Sequence, residues 1–165
     1  MCNTDKHHPL EYERTDDMSV LSDFYCGIYD MDKFIHSGLQ RSISERAIEC
    51  YIVRMGGAIV AILALCDNIV KFKLDSRNVE IDSVEIEYLA VEKSRREQGI
   101  GRQIIDWIID KVNKERPDIN ILSVKAYRDL DIGYSAEPFY SKCAFRIIST
   151  PHPMQPTVKM ARFIR

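Results

Sequence analysis

Residues Ser94-Arg95-Arg96-Glu97-Gln98-Gly99-Ile100-Gly101-Arg102 constrain this chain more than any other stretch. They stand between the apolar run Val84–Val91 and a helical pattern from Ile100 to Val112, so that a strand, a basic loop with two glycines and a helix follow one another. Backbone without side chains lets N–H groups point into such a loop, and the helix adds the positive end of its macrodipole. Arg95, Arg96 and Arg102 neutralise charge around Gly99 and Gly101. The combination reads as a pyrophosphate cradle. A dinucleotide loop needs a third glycine where Ile104 stands, and a P-loop needs Gly-Lys-Ser/Thr where Arg102-Gln103 follows Gly101. What remains is R-x-x-G-x-G, from Arg96 through Gly99 to Gly101, directly after a strand.

At 165 residues the chain suits a flexible N-terminal arm, residues 1–9, and a single domain, residues 10–165. A formal net charge of −2 provides no global basic field for nucleic acid or membrane. No apolar run approaches the ~20 residues of a membrane span, and no signal region opens the chain. The cysteines (Cys2, Cys26, Cys50, Cys66, Cys143) are scattered and odd in number, without a C-x-x-C pair, as expected for reduced thiols in a cytoplasmic protein. Cys50 and Cys66 lie in strand-like runs and read as core. His7-His8 lacks further ligands at metal spacing, so no metal is expected.

Leu10–Thr15 reads as a short strand, and Asp16 to Gly27 as a loop. Asp30 is a suitable N-cap for a helix carrying Met31, Phe34, Ile35 and Leu39, with a second helical piece reaching Arg46. Ile48–Met55 and Ala58–Leu65 flank Gly56-Gly57, a hairpin pattern. Asp67 to Ile81 fits either an extended segment or a short helix. Val84–Val91, the helix Gly99–Glu115 stopped by Pro117, and the strand Ile119–Ala126 make a β-α-β unit with parallel strands. Ser135 caps a short helix with Pro138 in its first turn, and Phe145–Ile148 and Thr157–Ile164 are closing strands.

This order, with the R-x-x-G-x-G loop, resembles the GNAT N-acetyltransferase superfamily. Three further segments carry the likeness: Leu89-Ala90-Val91 before the loop, Ala136 to Phe145 as A-x-x-x-Y-x-x-x-(G)-F, and the closing strand Thr157 to Met160. Gly133 stands where many members have Asn, Ala144 replaces the glycine of the G-F pair, and the loop from Ala126 to Ser135 looks long. The resemblance implies a mixed α/β fold: a mostly antiparallel sheet with a central parallel β-α-β and helices on both faces. It implies acetyl-coenzyme A as donor, coenzyme A as product and an amine as acceptor, by direct transfer in a ternary complex. Coenzyme binding would fall to Leu89, Ala90, Val91, Arg96, Glu97, Gln98, Gly99, Ile100, Gly101 and Arg102.

Amide formation needs a neutral amine, whose pKa lies near ~10.4, and a leaving thiolate that gains from a proton. The resemblance puts Tyr140 beside the thioester sulfur as general acid. Glu85 and Glu87 share a strand parity with Leu89 and Val91, so both face one side, and either can serve as base. The acceptor is a small-molecule or macromolecular amine, and exposed strand edges leave room for a homodimer. Asp23 to Gly27 with Met31 to Ile35 is also similar to a branch containing toxins that acetylate aminoacyl-tRNA. The negative chain makes tRNA the less favoured acceptor, although Arg41, Arg46, Lys71 and Lys73 offer cations. A non-catalytic coenzyme A-binding module is the remaining alternative.

Overall fold

The computed structural model describes residues 8–165. Cys2, His7 and most of the N-terminal arm lie outside the described residues, and His8 is exposed. Among the described residues, eight strands and four α-helices follow in order: β1 Leu10–Arg14, α1 Tyr29–Ser37, α2 Leu39–Glu45, β2 Ile48–Met55, β3 Ala58–Leu74, β4 Arg77–Val91, α3 Ile100–Glu115, β5 Ile121–Asp129, β6 Tyr134–Ser135, α4 Glu137–Lys142, β7 Arg146–Ile147 and β8 Thr157–Phe163. The strands are ordered β1-β2-β3-β4-β5-β8-β7, with β6 on β5. β4 and β5 are parallel, Val84–Ile86 against Leu122–Val124, whereas β1–β2, β5–β8 and β7–β8 are antiparallel. The expected mixed sheet with a parallel β-α-β at its centre is therefore present.

Two compact units make up the chain. One comprises the residues through Ala64 with Tyr88–Ile100, the other Leu65–Glu87 with Gly101–Arg165. In the first, Gly56 (φ 58°) and Gly57 (φ 84°) form the two-residue turn between β2 and β3, the left-handed geometry that matches strand twist. Leu21, Phe24, Ile35, Leu39, Ile52 and Ile62 are among its buried side chains. In the second, α3 buries Ile104, Ile105, Ile108 and Val112 at helical spacing.

Several local expectations are corrected. The helix cap is Ile28, not Asp30, and Asp30 sits in the first turn. Of the two readings open for Asp67 to Ile81, the extended one holds: β3 runs on to Leu74 and turns at Asp75 (φ 47°) and Ser76 (φ 70°) into β4. Without Gly or Asn, that turn carries little signal in the residues. The stretch after Ala126 is a hairpin, because β5 continues to Asp129 and β6 folds back on it, Asp129 opposite Tyr134. Met18–Leu21 forms a 3-10 turn inside the expected loop. Ala136 occupies the cap of α4, while Ser135 Oγ, one residue earlier, accepts the Glu137 N–H at 3.2 Å.

Candidate active site

In the first unit, the end of β4 and the basic loop form a braced segment. The Glu92 N–H bonds the Val60 carbonyl at 2.8 Å, and the Glu92 carboxylate accepts the Ser94 N–H at 3.0 Å and the Ser94 hydroxyl. Glu97 (φ 62°) and Gly99 (φ 77°) turn the chain through the left-handed region ahead of α3. Arg96, expected at the phosphates, donates through Nη2 to the Cys26 carbonyl. The Lys93 N–H bonds the Tyr25 carbonyl at 3.0 Å, so the segment before α1 is tied twice to the basic loop. Asp32 also holds that segment, accepting the Cys26 and Gly27 N–H groups at 2.7 and 3.0 Å. Arg95 is half-buried, and Gln98 Nε2 donates to the Ser94 carbonyl at 3.3 Å. The Tyr88 hydroxyl bonds the Met31 carbonyl at 2.8 Å and its ring lies 5.2 Å from Phe34, so the toxin-like segment packs on β4.

In the second unit, α4 carries Tyr140 and ends in a Schellman cap. The Phe145 N–H bonds the Tyr140 carbonyl at 3.0 Å and the Ala144 N–H bonds the Ser141 carbonyl at 3.1 Å, the paired pattern that closes a helix through a left-handed residue. That residue is Ala144, at φ 64°. The glycine of the family's G-F pair thus has a backbone reason, and Ala144 bears strain of roughly 1–2 kcal/mol. Ala144→Gly is expected to raise stability by up to about 1 kcal/mol, after the added entropy of the unfolded chain. A urea midpoint unchanged or lowered in that variant contradicts the reading.

The cap positions the tyrosine. Its ring makes edge contacts with Phe145 at 5.4 Å and Phe139 at 5.0 Å, and Arg162 Nη1 bonds the cap carbonyl of Cys143 at 2.8 Å. Tyr140 is 5% exposed, and among the described residues its hydroxyl has no hydrogen-bond partner. Burial, with smaller contributions from Tyr134 and Cys143, pushes the phenol well up, so it stays protonated at neutral pH. A Cβ on Gly101 would lie 2.9 Å from the Phe139 ring. Gly101 therefore permits close approach, whereas Gly99 has open space and a positive φ. Gly101→Ala is expected to displace Phe139 and the tyrosine in edge contact with it. Overpacking of ~1–3 kcal/mol is partly offset by ~1 kcal/mol of helix propensity. A shift near an ångström should cost kcat roughly tenfold or more, and steady-state kinetics at wild-type rates would contradict it.

Glu85 is 4% exposed and Glu87 is half-buried. Their strand buries Val84 and Ile86 on its other face, so neither face is simply solvated. Asn68 Nδ2 donates to Glu85 Oε2 at 2.6 Å, Lys125 Nζ lies 3.6 Å from Glu85 Oε1, and Cys66 Sγ donates to Glu87 Oε2 at 3.7 Å. Burial raises the Glu85 carboxyl above its ordinary range; Lys125 opposes this and a hydrogen bond with Glu87 adds to it. Cys66, read from sequence as core, is half-buried in this group instead. Its thiol and the two carboxylates have ligand atoms within 4.8 Å of one another. Asn68 and Lys125 already engage Glu85, an arrangement suited to proton handling. Asn68, Cys66 and Lys125 were missed because nothing in their local sequence marks them.

Other charged side chains are engaged elsewhere. Asp129 Oδ1 accepts the Asp131 N–H at 3.0 Å and braces the β5–β6 turn. Arg41 pairs with Glu45 at 2.7 Å and Lys71 with Glu80 at 3.0 Å. Burial raises the Cys26 thiol to about 11, the Cys50 thiol to about 12, and that of Cys143 as well. None of those three is a ready nucleophile at neutral pH.

A family model for the acetyltransferase (GNAT) domain matches residues 46–147, well over half of the chain. The chain belongs to the GNAT acetyltransferase family and is an acyltransferase of that type. Among curated proteins, none matches it closely enough to count as a relative. The fold is similar to that of a bacterial toxin at 17% identity and TM-score 0.74, covering 95% of this chain and 92% of that one. It is also similar to AtaT complexed with acetyl-methionyl-tRNAfMet, at 20% identity, TM-score 0.69 and coverage of 92% and 94%. AtaTR bound with AcCoA matches at 21% identity, TM-score 0.70 and coverage of 91% and 92%. Among the described residues no helix is long and apolar enough to cross a membrane.

Proposed function

We propose that residues 10–165 act as one cytoplasmic acetyltransferase domain that moves the acetyl group of acetyl-coenzyme A directly to an amine. The observation that carries this reading is Tyr140, held by the α4 cap with a hydroxyl that has no partner among the described residues. Backbone amides from Gln98 to Gly101, with Arg102 and Arg96, bind the diphosphate, and Leu89–Val91 receive the pantetheine arm. Arg96 then has a second task, because its bond to Cys26 keeps the segment before α1 against the basic loop.

The step balances as follows. The acceptor ammonium loses a proton to the Glu85–Glu87 pair, directly or through water. Its lone pair forms the C–N bond, backbone N–H groups near Leu89–Val91 stabilise the oxyanion, and the C–S bond breaks. The sulfur leaves as a thiolate that takes the Tyr140 proton, and the nitrogen, positively charged in the tetrahedral adduct, sheds its second proton to solvent, giving the N-acetyl amine and coenzyme A. Tyr140 recovers a proton from solvent, and the carboxylates release theirs. Cys26, Cys50 and Cys143 are buried, and the half-buried Cys66 is engaged as a donor to Glu87, which is consistent with direct transfer.

A second reading makes the acceptor the amino group of an aminoacyl-tRNA, supported by the likeness to AtaT in its acetyl-methionyl-tRNAfMet complex. A thiol-release screen with acetyl-coenzyme A against small amines, peptides and charged tRNA separates the two. Release with a free amine supports the first reading, and release with charged tRNA alone supports the second, with growth arrest on expression. No release with any of them overturns both.

A further inference from the structure

The acids of the second unit sit on one polar sheet face, and the strand pairing brings a cation to them. Glu85 pairs in register with Ser123 on β5, so Lys125, two residues along, shares the face of Glu85 and Glu87. Its ammonium stands 3.6 Å from Glu85 Oε1 with its side chain about half exposed, while the Glu85 side chain is 6% exposed. From β3, Asn68 donates to Glu85 and Cys66 to Glu87. On β4, Ser83 shares a hydrogen bond with Ser123 at 3.0 Å. From β8, Lys159 lies directly opposite Lys125 in register. Two adjacent carboxylates resist being ionised together, and one of them ordinarily retains a proton. A pair already holding that proton has less capacity to accept another.

We propose that Lys125 is a positioning residue for proton transfer, its ammonium opposing the retention of a shared proton by Glu85 and Glu87 so that the pair can take the proton of the incoming amine. The inference rests on reading that pair as the base. With both acids ionised, they and Lys125 carry a summed charge of −1 before the transfer and 0 after it. Asn68 keeps Glu85 Oε2 engaged, which leaves the proton to Glu87 or to the other oxygen of Glu85. Lys159 reinforces the same sign of potential from β8.

The test is a carbon NMR titration of the glutamate side-chain carboxyls in the coenzyme-free protein, comparing wild type with Lys125→Met and Lys125→Arg. Removing a cation raises a carboxylate pKa, so Lys125→Met should move the Glu85–Glu87 titration to higher pH by about one unit. Lys125→Arg should restore it. The acid limb of the kcat/KM profile for thiol release, measured with the amine accepted in the screen, should move in the same direction by a similar amount. Below that limb the Met variant should be about tenfold slower, with an unchanged Tm. A carboxyl titration unmoved in Lys125→Met overturns the inference whatever the activity. A titration that moves while the acid limb stays in place overturns the base assignment instead, so the two failures are distinguishable.

Discussion

Tyr140→Phe is expected to lower kcat by ~10²–10⁴-fold, the usual contribution of a positioned general acid, with little change in Tm or coenzyme affinity. The hydroxyl makes no hydrogen bond to a described residue, so its removal leaves no partner unsatisfied. The ring keeps its contacts with Phe139 and Phe145, and the backbone bond from Phe145 is untouched. The loss should therefore appear in turnover, not in calorimetric binding of acetyl-coenzyme A. A variant within twofold of wild type removes Tyr140 from the chemistry. A Tm fall of many degrees assigns it to packing instead.

Ile104→Ala should cost ~2–5 kcal/mol of unfolding free energy, the range for truncating a fully buried aliphatic side chain. Ile104 occupies the place where a dinucleotide loop would need its third glycine, and it is completely buried on α3 with Ile105 and Ile108. The same residue that excluded a dinucleotide cradle thus anchors the helix whose N-terminus follows the basic loop. Ile104→Gly adds the loss of helix propensity, about 1 kcal/mol more. Urea denaturation measures both. A loss under about 1 kcal/mol for the alanine variant means that this face of α3 does not pack as described.

The residues made parts of this molecule readable. The Gly56-Gly57 hairpin, the β4-α3-β5 order and the buried stripe of α3 follow from periods and turn residues that act locally. The shared facing of Glu85 and Glu87 is likewise a matter of strand parity. The positive φ of Ala144 gives a backbone cause for the pattern around Tyr140, where the alanine had been legible only as a departure. Other features escaped because their signals are weak or shared. Asp30 has the right chemistry for a cap, yet Asp32 makes the bonds, reaching back to the Cys26 and Gly27 amides before the helix. Asp75-Ser76 turns a long hairpin through two positive-φ positions without the glycine or asparagine that usually supplies them.

By itself, the order of residues determined the succession of elements, the basic glycine loop and the shared facing of the two acids, since each depends on positions close together in the chain. Tertiary structure alone decided what surrounds them. Arg96 meets Cys26 across 70 residues of chain, and Asn68 and Lys125 reach Glu85 from two other strands. The physical reason is register: a slip of one residue in β3 or β5 would turn those side chains to the opposite face. That register is set by the packing of the whole sheet, and no local stretch of sequence encodes it.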